Sequence, residues 1–134
     1  MALVLIKNDQ DCATAPASAL RSAPFAVLKV TAPWCGPCKR IHPEYVRLAS
    51  QEDTLQAFVL DIDAAQQEGG DAQQLLEILD IKALPTFIGF QAGQEQQRVT
   101  GANMALVTKM VTELKAASPT PVALDAGDVQ KQTN

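Results

Sequence analysis

Apolar runs alternate along the chain with polar, turn-rich stretches, and the spacing of the apolar positions separates strands from helices. Ala2 to Lys7 is a short run rich in Leu, Val and Ile, long enough for one strand. Asp9 to Ser22 is Ala-rich and broken by Pro16, which predicts a loop with one weak helix toward Leu20. Phe25 to Val30 is apolar except for Lys29 and suits a central strand covered on both faces. After it a helical pattern runs through Ser50: Ile41, Tyr45 and Leu48 recur at spacings of four and three, with Val46 and Ala49 beside them. Pro37 lies in its opening turn, where a missing N–H costs little, whereas Pro43 lies inside it and predicts a kink. Leu55 to Leu60 predicts another strand, ending at Asp61-Ile62-Asp63. A Gln/Gly-rich connection then leads to a helix that starts with Asp71 and Gln74 in capping-box spacing and buries Leu75, Leu76, Ile78 and Leu79. Leu84 to Phe90 is a turn entering a strand, and Gly93 marks a hairpin into a strand over Gln97 to Thr100. Asn103 can cap a last helix with the stripe Leu106, Val107, Met110, Val111 and Leu114.

Beyond Ala117 the composition shifts to Ser, Thr, Pro, Gly and Asp without a period, so residues 118–134 are expected to form a mobile tail. Strands alternating with helices imply an α/β domain over residues 1–117. Its central sheet is expected to be mixed, with helices on both faces and a terminal antiparallel hairpin. The 134 residues, 47% of them hydrophobic and 19% charged, can build one sizeable core without metal or disulfide staples. The net charge of −4 and the lack of a basic cluster argue against nucleic acid or anionic membrane as partners. No stretch approaches the ~20 apolar residues of a membrane span, and the N-terminus lacks the basic-then-apolar pattern of a secretory signal. A cytoplasmic location is the expectation.

Three cysteines are too few for a disulfide framework, but Cys35 and Cys38 form a Cys-x-x-Cys pair between a strand end and a helix start. Buried cysteines often serve only as small hydrophobes. This position does more, because unpaired N–H groups and the helix dipole favour a thiolate at a helix N-terminus. Cys35 is expected to be the exposed nucleophile of low pKa, and Cys38, one turn further in, the resolving thiol. Gly36 and Pro37 shape the turn that lets the two sulfurs meet. The implied reaction is dithiol–disulfide exchange, which needs no bound cofactor. A zinc site of Cys35, Cys38, His42 and Cys12 is the rival on paper. It weighs less, because Cys12 lies in a featureless Ala-rich segment rather than in a second ligand turn. His42, four residues beyond Cys38, is expected to bond locally or meet solvent.

Trp34-Cys35-Gly36-Pro37-Cys38-Lys39 resembles the active-site signature of the thioredoxin family, and the similarity runs over about residues 2 to 117. It takes in Pro43, Leu84-Pro85-Thr86-Phe87 and Gly101-Ala102-Asn103. The resemblance implies a thioredoxin fold and a cis Pro85 facing the cysteines. It also implies a shallow apolar docking surface of Trp34, Gly36, Pro37, Leu84, Pro85, Gly101 and Ala102 around Cys35. By the same resemblance the chain is expected to act as a protein-disulfide reductase and electron carrier. Its partners would then be disulfide-bearing proteins and a flavoenzyme donor of the thioredoxin-reductase type. A disulfide oxidase or isomerase, and a thioredoxin-fold structural subunit of a larger assembly, are the alternatives. Two departures stand out: Lys29 where the family usually buries an aspartate, and Val59 where many members place a lysine. Lys29 is expected to pack its stem and carry its ammonium to the rim. Should it lie beneath the cysteines, it would reverse the electrostatics there.

Overall fold

The computed structural model describes residues 2–6 and 12–116. Its strands are β1 (Leu3–Ile6), β2 (Cys12–Thr14), β3 (Phe25–Thr31), β4 (Gln56–Asp61), β5 (Thr86–Gln91) and β6 (Gln94–Thr100). The helices are α1 (Ala17–Ser22), α2 (Gly36–Gln51), α3 (Ile62–Glu68), α4 (Gly70–Leu79) and α5 (Met104–Ala116). The strands form one mixed sheet in the order β2-β1-β4-β3-β5-β6. Among the described residues β3 and β4 are the one pair of neighbouring strands that run parallel, with Lys29 opposite Val59 and Thr31 opposite Asp61.

Alternation along β3 sends its side chains to two cores. Ala26, Leu28 and Val30 meet Leu20 of α1, Ala65 of α3, and Leu75 and Leu79 of α4. Val27 faces the other way, among Ile41, Tyr45 and Leu48 of α2 and Val107, Met110 and Leu114 of α5. Helices therefore cover both faces, as the alternating pattern implies. The Tyr45 hydroxyl reaches the carbonyls of Val27 and Phe58 at 3.0 and 2.8 Å, fastening α2 across β3 and β4. Among the described residues no helix is long and apolar enough to cross a membrane.

Several local expectations are corrected. Residues 12–14 are not loop but the edge strand β2, paired antiparallel with β1 from Ile6–Cys12 to Val4–Thr14. The Gln/Gly-rich connection after β4 is largely the helix α3, whose N-terminus is capped by Asp61 accepting from the Ala64 N–H at 3.0 Å. No capping box forms at Asp71 and Gln74: α4 begins at Gly70 without a side-chain cap, and Gly69, at φ +65°, makes the corner between α3 and α4. Ile78 and Leu106, expected on buried stripes, are 78% and 48% exposed. The hairpin strand begins three residues earlier than expected, at Gln94, because pairing with β5 supplies the backbone partners that its polar side chains do not signal. Gly93 does turn this hairpin. Its φ is +81°, and a Cβ there would lie 2.6 Å from the Arg21 carbonyl oxygen. Asn103 caps α5, its Oδ1 accepting from the Leu106 N–H at 3.2 Å. Lys7 and the tail, residues 118–134, lie outside the described residues.

Candidate active site

The chain leaves β3 at Thr31 and reaches Cys35, the N-cap of α2, within four residues, with Pro37 in the first turn. This turn joins Cys35 and Cys38 in a disulfide with a Cα–Cα distance of 5.3 Å. The Cys38 N–H donates to Cys35 Sγ at 3.2 Å. A positive helix end and an N–H aimed at sulfur both favour negative charge on Cys35 in the reduced chain. Contrary to expectation, Cys35 is not openly exposed: it stands at 6% against 1% for Cys38. Ala32, Ile62 and Leu84 pack around the pair and leave Cys35 only a narrow outlet.

That outlet opens into a groove of about 700 Å³. Trp34, Cys35, Gly36, Pro37 and Leu84 form one wall. Ile62 and Gln66 of α3, Leu76 and Glu77 of α4, and the following Asp80 to Ala83 form the rest. Trp34 is 66% exposed, and its indole N–H reaches Asp63 Oδ1 at 3.4 Å. Of the expected docking residues, Pro85, Gly101 and Ala102 are not part of this groove. The Leu84–Pro85 bond is cis, Pro85 is buried, and its carbonyl accepts from the Gly101 N–H at 2.8 Å. Sequence reasoning missed the far wall, because Ile62 fell at the end of an expected strand and Gln66 in the connection expected to follow it.

Lys29 does not reach the rim. It is 1% exposed, in a central strand roofed by α2, and its ammonium cannot escape past that helix. Lys29 Nζ instead donates to the Cys38 carbonyl at 2.9 Å, lies 2.9 Å from His42 Nδ1, and stands 6.0 Å from the centre of the Tyr45 ring. Burial pushes the Lys29 pKa down to about 8. His42 is lowered too, first by burial and then by the Lys29 charge. Contrary to expectation, His42 therefore bonds not within its own helix but to Lys29 of β3, thirteen residues away in sequence.

Cys12 is far from this cluster. Its strand is separated from β3 by β1 and β4, which puts it about 14 Å away across the sheet. Along the strands it sits level with Ala57 and Val27, about 13 Å short of Thr31. The topology thus denies Cys12 to a ligand set with Cys35, Cys38 and His42.

Comparison with known proteins agrees with this geometry. The thioredoxin family model matches residues 9–113. Putative thioredoxin-5 of Dictyostelium discoideum is 35% identical over 97 residues, which are 71% of this chain and 86% of that protein. Thioredoxin-1 of Saccharomyces cerevisiae is 34% identical over 94 residues, 70% of this chain and 84% of its own length. The crystal structure of Schistosoma mansoni thioredoxin superposes with a TM-score of 0.61 at 30% identity, covering 72% of this chain and 83% of the other. With a Cys-x-x-Cys disulfide at the start of α2 and this breadth of similarity, the chain belongs to the thioredoxin family and is a thiol–disulfide oxidoreductase.

Proposed function

We propose that the chain is a reductase of protein disulfides, with Cys35 as the attacking sulfur and Cys38 as the resolving one. The observation that carries this reading is the placement of the pair: Cys35 borders the open groove, whereas Cys38 lies one turn inside and is absent from that groove. In that groove only Cys35 meets a disulfide presented from outside. Its thiolate attacks one sulfur of the target, the target disulfide breaks, and the departing thiolate takes up a proton. Cys38, on losing its own proton, attacks Cys35; the Cys35–Cys38 bond forms and the second target thiol leaves. Two electrons and two protons pass to the target, and the chain is left in the disulfide state seen here.

Trp34, Gly36, Pro37 and Leu84 form the near wall and are proposed to dock the target segment around Cys35. Pro85, Gly101 and Ala102 are proposed to extend this docking surface beyond the groove, the Gly101 N–H holding the Pro85 carbonyl. A flavoenzyme of the thioredoxin-reductase type would restore the dithiol, in a reducing compartment such as the cytoplasm; the similarity to thioredoxins supports this assignment. Brief alkylation of the reduced chain, followed by peptide mass spectrometry, is expected to label Cys35 well ahead of Cys38 and Cys12. Cys38→Ser is expected to accumulate mixed disulfides with insulin and to lose turnover. Preferential labelling of Cys38, or turnover by the Cys38→Ser protein, would refute the roles.

A further inference from the structure

Cys38 borders a second groove, separate from the one that Cys35 borders. It holds about 290 Å³, and Lys29, Thr31, Val59, Asp61, His42 and Cys38 contribute to its lining. Neither Cys35 nor Trp34 belongs to it, and neither Lys29 nor His42 belongs to the first groove. The two openings therefore give the two cysteines different access to solvent. A protein target docked over Trp34 and Cys35 would cover the first groove and leave the second open. Yet the resolving step, in which Cys38 must lose a proton, happens while that target is still attached.

We propose that Lys29 and His42 form a proton-exchange pair for Cys38, working through the second groove while the first is closed by the bound target. The proposal rests on the assignment of Cys38 as the resolving sulfur. Lys29 is a buried amine that forms no ion pair with a carboxylate among the described residues, so its proton is not locked by an opposite charge. Its two polar contacts, with the Cys38 carbonyl and His42 Nδ1, hold it at the base of α2. His42 is a positioning residue: its Nδ1 lies 2.9 Å from Nζ and, in the tautomer protonated at Nε2, accepts from it and keeps the amine on the Cys38 side. The other groups facing Lys29 are the Tyr45 ring, whose own hydroxyl burial keeps protonated and turned to the Val27 and Phe58 carbonyls, and Asp61 and Lys39, which line the groove.

The step balances. The Cys38 thiol gives its proton, through water in the groove, to the uncharged Lys29 amine. The thiolate attacks Cys35, the Cys35–Cys38 bond forms, and the bond from Cys35 to the target breaks. The target sulfur leaves as a thiolate and takes a proton from solvent, and the Lys29 ammonium returns its proton to the water of the second groove. With a pKa of about 8, roughly a tenth of the lysine is free amine at neutral pH, far more than an unperturbed lysine would supply.

Single-turnover reaction of the reduced chain with 5,5′-dithiobis(2-nitrobenzoate) separates the steps, because each releases one thionitrobenzoate. The first burst reports attack by Cys35 and the second reports resolution by Cys38. Lys29→Met is expected to slow the second burst about tenfold or more near neutral pH and to move its rise with pH upward, with the first burst changed by less than about twofold. His42→Ala is expected to slow the second burst as well, and added imidazole, small enough for the second groove, is expected to restore it. A purely structural role would give no imidazole response. A second burst unchanged in both variants, or slowed without rescue, would overturn the proposal. Release of the first thionitrobenzoate from Cys38, identified by trapping with iodoacetamide, would overturn the assignment of roles and the proposal together.

Discussion

A lysine at 1% exposure, with no ion-paired carboxylate among the described residues, holds its charge in a medium that solvates it poorly. In the folded chain Lys29 gives up its proton at about 8, against 10.5 for the ordinary side chain. Below about 8 it is charged in both states, and the whole desolvation cost falls on the folded one. Between about 8 and 10.5 the unfolded chain binds more protons than the folded one, so this contribution to stability improves as the pH rises. Lys29→Met is accordingly expected to be the more stable protein by about 2 kcal/mol near neutral pH. That advantage should shrink as the pH rises through about 8 and vanish toward 10.5. Urea unfolding of both proteins across this range measures it, and an advantage independent of pH would show that Lys29 does not titrate as described. The sequence places Lys29 in a central strand but not the fate of its side chain. An apolar run with one lysine is compatible with a snorkelling stem as well as with burial, and only the roof formed by α2 excludes the first.

Helix α4 shows how an apolar pattern over-predicts burial. Leu75, Leu76, Ile78 and Leu79 crowd a helix of ten residues, yet only Leu75 and Leu79, four apart, are fully buried, and Leu76 packs against the same core by part of its side chain. Leu76 turns toward the first groove and Ile78 toward solvent. Leu75→Ala is expected to cost about 2–5 kcal/mol, since it opens a cavity in the core. Ile78→Ala should stay within about 0.5 kcal/mol. Thermal unfolding of the two variants distinguishes them, and equal losses would mean that Ile78 is covered. The opposite error occurs at α3, where Ala65 is the buried residue and no apolar stripe announces a helix. The signal present was polar: Asp61 at the N-cap and Asp63 in the first turn. At α5 pattern and cap agree, and Asn103→Ala should cost about 1 kcal/mol.

For the whole molecule, the family match ends at residue 113 and the last helix at Ala116, so the folded body is expected to stand without residues 118–134. In that stretch the apolar side chains larger than alanine and proline are Val122, Leu124 and Val129, too few to offset by burial an ordering cost of roughly 1–2 kcal/mol per residue. Truncation after Ala117 is expected to leave insulin reduction and the melting temperature unchanged, and a marked drop in melting temperature would show that the tail docks on the body. The sequence by itself determined the α/β alternation, the two-sided core and the dithiol chemistry. Each depends on local order: apolar periodicity, a Cys-x-x-Cys pair, and a helix that must begin beside it. Tertiary structure alone decided the rest. The crossing of α2 over β3 brought Lys29, Cys38 and His42 together, and the corner at Gly69 raised α3 and α4 into the far wall of the groove. The sheet order carried Cys12 away from the other two cysteines. The physical reason is range: periodicity reports which face of an element is buried, whereas neighbours across elements depend on strand order and helix crossing, which no local pattern encodes.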